Sequence, residues 1–472
     1  MTPETLAESH PLMLTVSGCR GVVGRSLTPT TITRYISAFV AWLRIREENA
    51  DRLPVVVARD GRAGGDGLLD LASAALRACG CDVICLDVAT TPTSGLMVRR
   101  HGASGGIVLT ASHNPAQWNG IKPLTHEGQA PTPEQVRQII DLYNDEASAW
   151  VGHAELGSFS SDDTSAHAHV AGVLQAVSEI VPIARIQDRG FRVVLDSVNA
   201  SGARGGAMLL EALGCEVVHL HANDSGVFPH TPEPTRENLT ELCAQVAAHK
   251  ADIGFAQDPD ADRLAIVDDE GVYIGEEYTL VLACMAILET AGTPKDPVFA
   301  ANLSTSRMID DVAATHGASV ARTPVGEANV VEGMRAHGCV LGGEGNGGVI
   351  WPEVVGIRDS LGAMALTLAL LTHRGESLDA IVETIKPYSI VKRKQPIRDG
   401  LAQAAIDALA RHYAGERLDT QDGLRIDIDS RSAWLHVRAS NTEPILRLIA
   451  EAPEESTSEA ILDHAQTLIA SL

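Results

Sequence analysis

"FRVVLDSVNASGARGGAMLLEALGCEVVHLH", residues 191–221, is the stretch on which the fold turns. It opens on the apolar run Val193-Val194-Leu195, crosses a Gly/Ser loop, proceeds at helical spacing to Gly214 and closes on Val217-Val218. That order reads as strand, helix, strand. Two strands joined through a helix run parallel, with a right-handed crossover. Two other stretches read alike: "LPVVVARDGRAGGDGLLDLASAALRACGCDVICLD" at 53–87 and "DPVFAANLSTSRMIDDVAATHGASVARTP" at 296–324. The copies begin more than 100 residues apart, whereas solenoid repeats recur every ~20–50 residues. Three similar α/β domains are therefore expected.

Each copy is followed by a second apolar run that stops at an unusual loop. "GGIVL" leads into "TASHNP", "ADIGFA" into "QDPDADR", and "CVLGG" into "EGNGG". Parallel sheets place their sites beyond the carboxyl ends of their strands. Three equivalent loops should thus meet at one central cleft, each with its own chemistry.

The last ~85 residues differ. "GLRIDIDSRSAWLHVRASNTEPILRLIAEA" alternates polar and apolar residues, as half-buried antiparallel strands do, and "SEAILDHAQTLIASL" closes as an amphipathic helix. The expected architecture is three similar mixed-sheet α/β domains plus a smaller C-terminal α+β domain. Its boundaries are 1–155, 165–268, 269–388 and 389–472, the first falling in the polar "GSFSSDDTSAHAH".

A length of 472 residues suits three or four domains at ~100–200 residues each. The formal net charge of −24 repels nucleic acid and anionic membranes, so neither is an expected partner. An anionic ligand would need local arginines. The N-terminal "MTPETLAESHPLML" lacks the plan of a secretory signal, and no apolar run reaches the ~18 residues of a membrane span. The eight cysteines show no zinc spacing, which fits reduced thiols in a cytoplasmic protein.

In "TASHNP", Ser112 leaves an apolar strand beside His113. It is either a polar turn residue or a nucleophile presented by a rigid sheet. In "QDPDADR", Asp258, Asp260 and Asp262 crowd three carboxylates together, which repel unless a hard cation such as Mg²⁺, Mn²⁺ or Ca²⁺ sits among them. An EF-hand is excluded, because Arg263 and Asp269 stand where it needs Gly and Glu. Arg263 beside such a site suggests a phosphate sharing the metal. "RASNTEPILR" offers Arg438, Ser440, Asn441, Thr442 and Arg447 as a phosphate nest or a plain turn. "GGEGNGG" lacks P-loop spacing, but its Glu344 and Asn346 suit sugar hydroxyls. "GASGG" mimics a hydrolase elbow, yet precedes its strand, so Ser104 reads as a loop residue. Arg20, Arg25, Arg59, Asp60 and Arg62, taken singly, read as structural.

Together "SGCRGVVG", "TASHNP" with "NGIK", "DPDADR", "TPVGEANV", "GEGNGG" and "RASNTEP" resemble the α-D-phosphohexomutase superfamily, in that family's order and across nearly the whole chain. The resemblance implies an intramolecular phosphotransferase. Ser112 would carry a phosphoryl group and pass it to a hexose monophosphate by way of a hexose 1,6-bisphosphate. Asp258, Asp260, Asp262 and the Ser112 phosphate would hold one Mg²⁺. Lys122 and Arg20 match family residues near the reacting oxygen, and His113 would bond the phosphoserine. Glu344 and Asn346 match the sugar loop, with Arg263 nearby. Arg438, Ser440, Asn441, Thr442 and Arg447 would grip the phosphate that is not reacting. A monomer or homodimer is expected, with a small sugar phosphate as partner.

Two departures stand out. Gly348 replaces a histidine that many relatives use in proton transfer, which makes Lys122 the first candidate for that task, and Pro324 replaces a lysine of several relatives. Glucosamine phosphate is the favoured substrate, with mannose or glucose phosphate next. A metal-dependent phosphatase using Asp258 as nucleophile and a sensor without turnover remain as other classes.

Overall fold

Each of the three repeated stretches folds as two parallel strands with a helix between them. They are Leu53–Arg59, Gly65–Ala78 and Cys81–Val88; Arg192–Asp196, Gly202–Ala212 and Glu216–Leu220; Val298–Asn302, Met308–Thr315 and Ser319–Thr323. The computed structural model describes residues 11–47, 52–223, 225–290, 295–398, 400–440 and 444–470. The second apolar runs add a parallel strand on the other side of the first: Gly105–Leu109, Ile253–Gln257 and Leu341–Glu344. The chain then reverses into an antiparallel strand: Trp118–Thr125, Leu264–Val267 and Gly348–Ile350. The three chemical loops are these reversals. Each holds a left-handed residue, Ser112 at φ 49°, Ala261 at 52° and Gly347 at 84°. That conformation is uncommon for a residue with a Cβ and persists where surrounding contacts enforce it.

Strand pairing within each sheet is therefore mixed: a parallel centre with an antiparallel edge. The first sheet has seven strands, adding Met13–Thr15, Gly18–Val22 and Phe159–Ser161. The polar stretch read as a boundary thus carries the last strand of that sheet, which pairs with Cys81–Val88. The last region is a five-stranded antiparallel sheet in the order Ser389–Pro396, Ile445–Ala452, Ala433–Ala439, Leu424–Ile428, Arg417–Asp419. The helices Ala402–His412 and Glu455–Ala470 cover it.

Helix Ser360–Arg374 ties the first three regions together. Thirteen of its fifteen residues are buried, as expected for a helix apolar on every side. It packs along Glu276–Glu289 and shares one core with Val56, Val193 and Phe299 of the three sheets. Asp359 caps its first turn, accepting from Leu361 N at 2.9 Å and Gly362 N at 3.0 Å. Ser360 N donates to Ala261 O at 3.2 Å, and Ser360 Oγ accepts from Gln257 Nε2 at 2.8 Å, so the central helix begins against the aspartate loop. Among the described residues no helix is long and apolar enough to cross a membrane.

Candidate active site and metal centre

The three reversals converge. Ser112 Oγ donates to Asp258 Oδ2 at 2.9 Å across 146 residues of sequence. That hydroxyl has one proton, so the 3.2 Å contact with His113 Nδ1 must be donated by the ring. The serine is held by buried polar groups. Its N–H donates to Thr110 Oγ1 at 2.8 Å, and Thr110 Oγ1 donates to Asp60 Oδ2 at 2.7 Å. Arg62 reaches Asp60 at 2.9 Å and donates to the carbonyls of Ser112 at 2.7 Å and Trp118 at 2.6 Å. Read singly as structural, Asp60 and Arg62 are the frame of the serine loop.

Asp258, Asp260 and Asp262 are fully buried. Burial, then the charges of Asp260 and Asp262, push Asp258 well above the usual carboxylate range. Burial also works to raise Asp262, but Arg358, Lys122 and Arg263 outweigh it and hold that carboxyl far below its ordinary value. The outer oxygens are engaged: Thr91 Oγ1 donates to Asp260 Oδ2 at 2.7 Å, and Asp262 Oδ2 accepts from Lys122 Nζ at 2.9 Å and Arg358 at 2.6 Å. Asp260 Oδ1 and Asp262 Oδ1 are buried with no hydrogen-bond partner. Two orphaned acceptors, in a trio whose members each offer an oxygen within 4.8 Å of the others, fit a hard divalent cation.

Lys122 is buried among Asp262, Asp260 and, at 4.0 Å, Glu327. Burial alone would lower its pKa, but those carboxylates raise it beyond the ordinary lysine value, so it is an ammonium. Burial, then Arg263 and Arg20, push His113 down to about 3, leaving a neutral ring. Arg20 sits 3.4 Å from Asn114 Oδ1, its own pKa lowered by burial.

Across the floor runs a clamp the sequence did not disclose. Arg358 joins Asp262 to Glu344, at 2.6 Å each, and donates its N–H to Glu327 Oε1 at 2.8 Å. Glu344 also accepts from Asn302 Nδ2 at 2.8 Å and Gly326 N at 3.1 Å. The Arg358 stem occupies the space a side chain at position 348 would need, for a Cβ there would collide with its Cδ. The absence of a side chain at 348 thus makes room for Arg358. Arg358 carries no motif of its own, and only the buried acids around it identify it. Glu327, by contrast, lies inside "TPVGEANV".

Ser112, His113, Lys122, Arg20, Arg263, Glu344, Asn346, Arg438 and Arg447 all line one cleft of about 380 Å³. Arg438 Nε lies 3.4 Å from Asp422 Oδ2, and Ser440 N donates to Ile445 O at 3.0 Å. Asn441 and Thr442 lie outside the described residues. Ser104 is remote from these groups in function: its hydroxyl donates to Glu47 at 2.8 Å.

Comparison with known proteins finds one family along the chain. The models of phosphoglucomutase/phosphomannomutase alpha/beta/alpha domains I, II and III match residues 13–150, 171–271 and 275–388, and that of the C-terminal domain matches 389–465. A probable phosphoglucosamine mutase of Methanopyrus kandleri is 36% identical over 451 residues, covering 95% of each chain. A phosphoglucomutase/phosphomannomutase of Thermococcus kodakarensis is 34% identical over 448 residues, covering 94% of this chain and 96% of that one. A crystal structure of a family protein from Burkholderia thailandensis superimposes with a TM-score of 0.82 at 26% identity, covering 97% of this chain and 98% of the other. The chain belongs to the phosphoglucomutase/phosphomannomutase family of α-D-phosphohexomutases, and it is an intramolecular phosphotransferase.

Proposed function

We propose that this phosphohexomutase interconverts glucosamine 6-phosphate and glucosamine 1-phosphate through a phosphoserine at Ser112 and a hexose bisphosphate that turns over in the cleft. The observation that carries the reading is the 2.9 Å bond from Ser112 Oγ to Asp258, which sets a hydroxyl against a buried carboxylate trio. In the forward half-reaction the Ser112 Oγ–P bond breaks as a sugar hydroxyl oxygen forms the new O–P bond; the proton that hydroxyl loses balances the proton the Ser112 oxygen takes up. Phosphoryl transfer asks for positioning and charge neutralisation above all. Lys122, held as an ammonium, supplies a cation and a hydrogen-bond donor beside the transferring group. His113, neutral, directs its Nδ1–H at Ser112 Oγ. Arg20 and Arg263 offset anionic charge at this end of the cleft, while Arg438 and Arg447, with Ser440, Asn441 and Thr442, anchor the distal phosphate. Asn346 faces the sugar hydroxyls, and Glu344 holds Arg358 in place beside them. Asp258, Asp260, Asp262 and the phosphoserine oxygen would hold one Mg²⁺, which when bound draws charge from the transferring group.

The relative from Methanopyrus kandleri supports a glucosamine substrate by its name, and the one from Thermococcus kodakarensis supports glucose and mannose phosphates as the second reading. Turnover on glucosamine, glucose and mannose 1-phosphates separates the two. The highest kcat/KM is expected with glucosamine 1-phosphate, and a higher value with either other sugar transfers the assignment to it.

A further inference from the structure

Away from the cleft, a second set of ligand-type side chains converges on one point. Asp196 ends the strand Arg192–Asp196, His221 follows Glu216–Leu220, and His230 comes from the next segment. His230 Nε2 lies 3.0 Å from Asp196 Oδ2 and His221 Nδ1 lies 3.1 Å from Asp196 Oδ1. One ligand atom from each falls within 4.8 Å of the others. Ligand atoms around a tetrahedral ion with bonds near 2.0 Å stand about 3.3 Å apart.

The outer contacts select the ring atoms that face inward. His230 Nδ1 donates to the Thr231 carbonyl at 2.8 Å, which turns Nε2 inward onto Asp196 Oδ2 at 3.0 Å, where a cation would take the place of the shared proton. His221 Nε2 lies 3.5 Å from the Glu241 carboxylate, which leaves Nδ1 inward. That Nδ1 is buried and has the Asp196 carboxylate at 3.1 Å as its neighbour. A ring nitrogen oriented by a carboxylate or carbonyl on its far side is the usual arrangement of a metal-bound histidine.

We propose that Asp196, His221 and His230 bind a second divalent cation, of the imidazole-preferring class typified by Zn²⁺, separate from the aspartate trio. Two imidazoles and one carboxylate suit such an ion, whereas Mg²⁺ prefers oxygen ligands alone. Its work is to fasten the segment 225–233 to the frame of the serine loop. Ala63 N donates to Gly226 O at 3.0 Å, and the Arg62 guanidinium stands 5.3 Å over the Phe228 ring. Arg62 is the residue that holds the Ser112 carbonyl. The ion therefore positions, and the chemistry stays in the cleft.

The test uses the full chain with Mg²⁺ in excess to fill the trio. Zn²⁺ bound after dialysis is measured by mass spectrometry, and Co²⁺ binding by visible absorption. The wild-type chain should retain one equivalent of Zn²⁺ and gain Co²⁺ ligand-field bands. His230→Gln and Asp196→Asn should weaken binding by at least the ~100-fold that outer contacts alone reach, and Glu241→Gln by ~10-fold. Asp260→Asn should keep both signals. Circular dichroism confirms that each variant folds. Equal zinc in the wild type and His230→Gln, zinc lost with Asp260→Asn, or no zinc above the Mg²⁺-saturated baseline would each overturn the site.

Discussion

The first and second regions end their leading strands in the same way and then part. Asp60 Oδ1 accepts from the N–H of Arg62 at 3.1 Å, and Asp196 Oδ1 accepts from that of Val198 at 2.9 Å. Each aspartate closes a local turn on the residue two further on. The other carboxylate oxygen makes the difference. Asp60 Oδ2 takes the Arg62 guanidinium and Thr110, and so holds the serine loop. Asp196 Oδ2 takes His230. A guanidinium is a permanent cation, whereas imidazole is neutral or charged and ligates metals. The third region repeats the turn with Asn302, whose Oδ1 accepts from Ser304 N at 2.8 Å and whose amide reaches Glu344. A common backbone device fixes where chemistry stands, and one side-chain atom fixes which chemistry it is.

The comparison breaks hardest at the residue the first turn positions. Ser112→Ala should lower mutase turnover by roughly 10⁴–10⁶-fold, the scale of losing a covalent nucleophile. The hydroxyl is buried, so its removal also costs about 1 kcal/mol in a denaturant midpoint. An active Ser112→Ala enzyme ends the phosphoserine mechanism. Arg62→Met comes next. It strands Asp60 as a buried unpaired carboxylate, which should cost about 3–5 kcal/mol. Arg192→Met, at the exposed pair with Glu216, is the control and should leave the denaturant midpoint close to its wild-type value. Asp196→Asn keeps its turn and should cost less than Arg62→Met. Equal losses at Arg62 and Arg192 would remove the framing role of the first turn.

The same division separates the legible from the hidden in the sequence. Periodicity disclosed the three strand–helix–strand units, because apolar alternation and helical spacing are local. It disclosed the loops as well, since each stops an apolar run abruptly. Pairing across 146 residues, as between Ser112 and Asp258, came from motif order and not from any local pattern. Arg358 stayed hidden because its signal is three acids from three distant segments. Asp60 and Arg62 looked like ordinary surface charge until burial made them a frame. The trio of Asp196, His221 and His230 was invisible for a like reason: its histidines are spaced by a segment with no metal-binding pattern.

Position 348 sharpens the comparison in the third region. Gly348→Ala places a Cβ against the Arg358 stem. Overpacking of this kind costs about 1–3 kcal/mol. It should also move Arg358 off Asp262 and Glu344 and reduce kcat more than the stability loss explains. Turnover and thermal midpoint near wild-type values would show that the space is free.

An effect on pH dependence, with none on turnover, lies where the third turn meets the last region. Ser304, held by Asn302, pairs its hydroxyl with His436 Nδ1 at 2.8 Å, while His436 Nε2 donates to the Asp422 carbonyl at 2.7 Å. The ring is neutral in this pose, and burial pushes its pKa down to about 4. In the unfolded chain a histidine titrates near 6.5. Between those values the unfolded state binds the extra proton, so stability rises with pH. The contribution is whole above pH ~6.5 and falls by about 1.4 kcal/mol per unit down to about pH 4, where it is spent. His436→Gln should keep both contacts within reach and remove that slope. The measurement is the difference in denaturant midpoint between wild type and His436→Gln from pH 7 to pH 4.5. A difference that stays constant over that range would mean the ring takes up its proton without leaving Ser304 and the Asp422 carbonyl, and the third turn would then hold the last region by shape and not by the protonation state of one histidine.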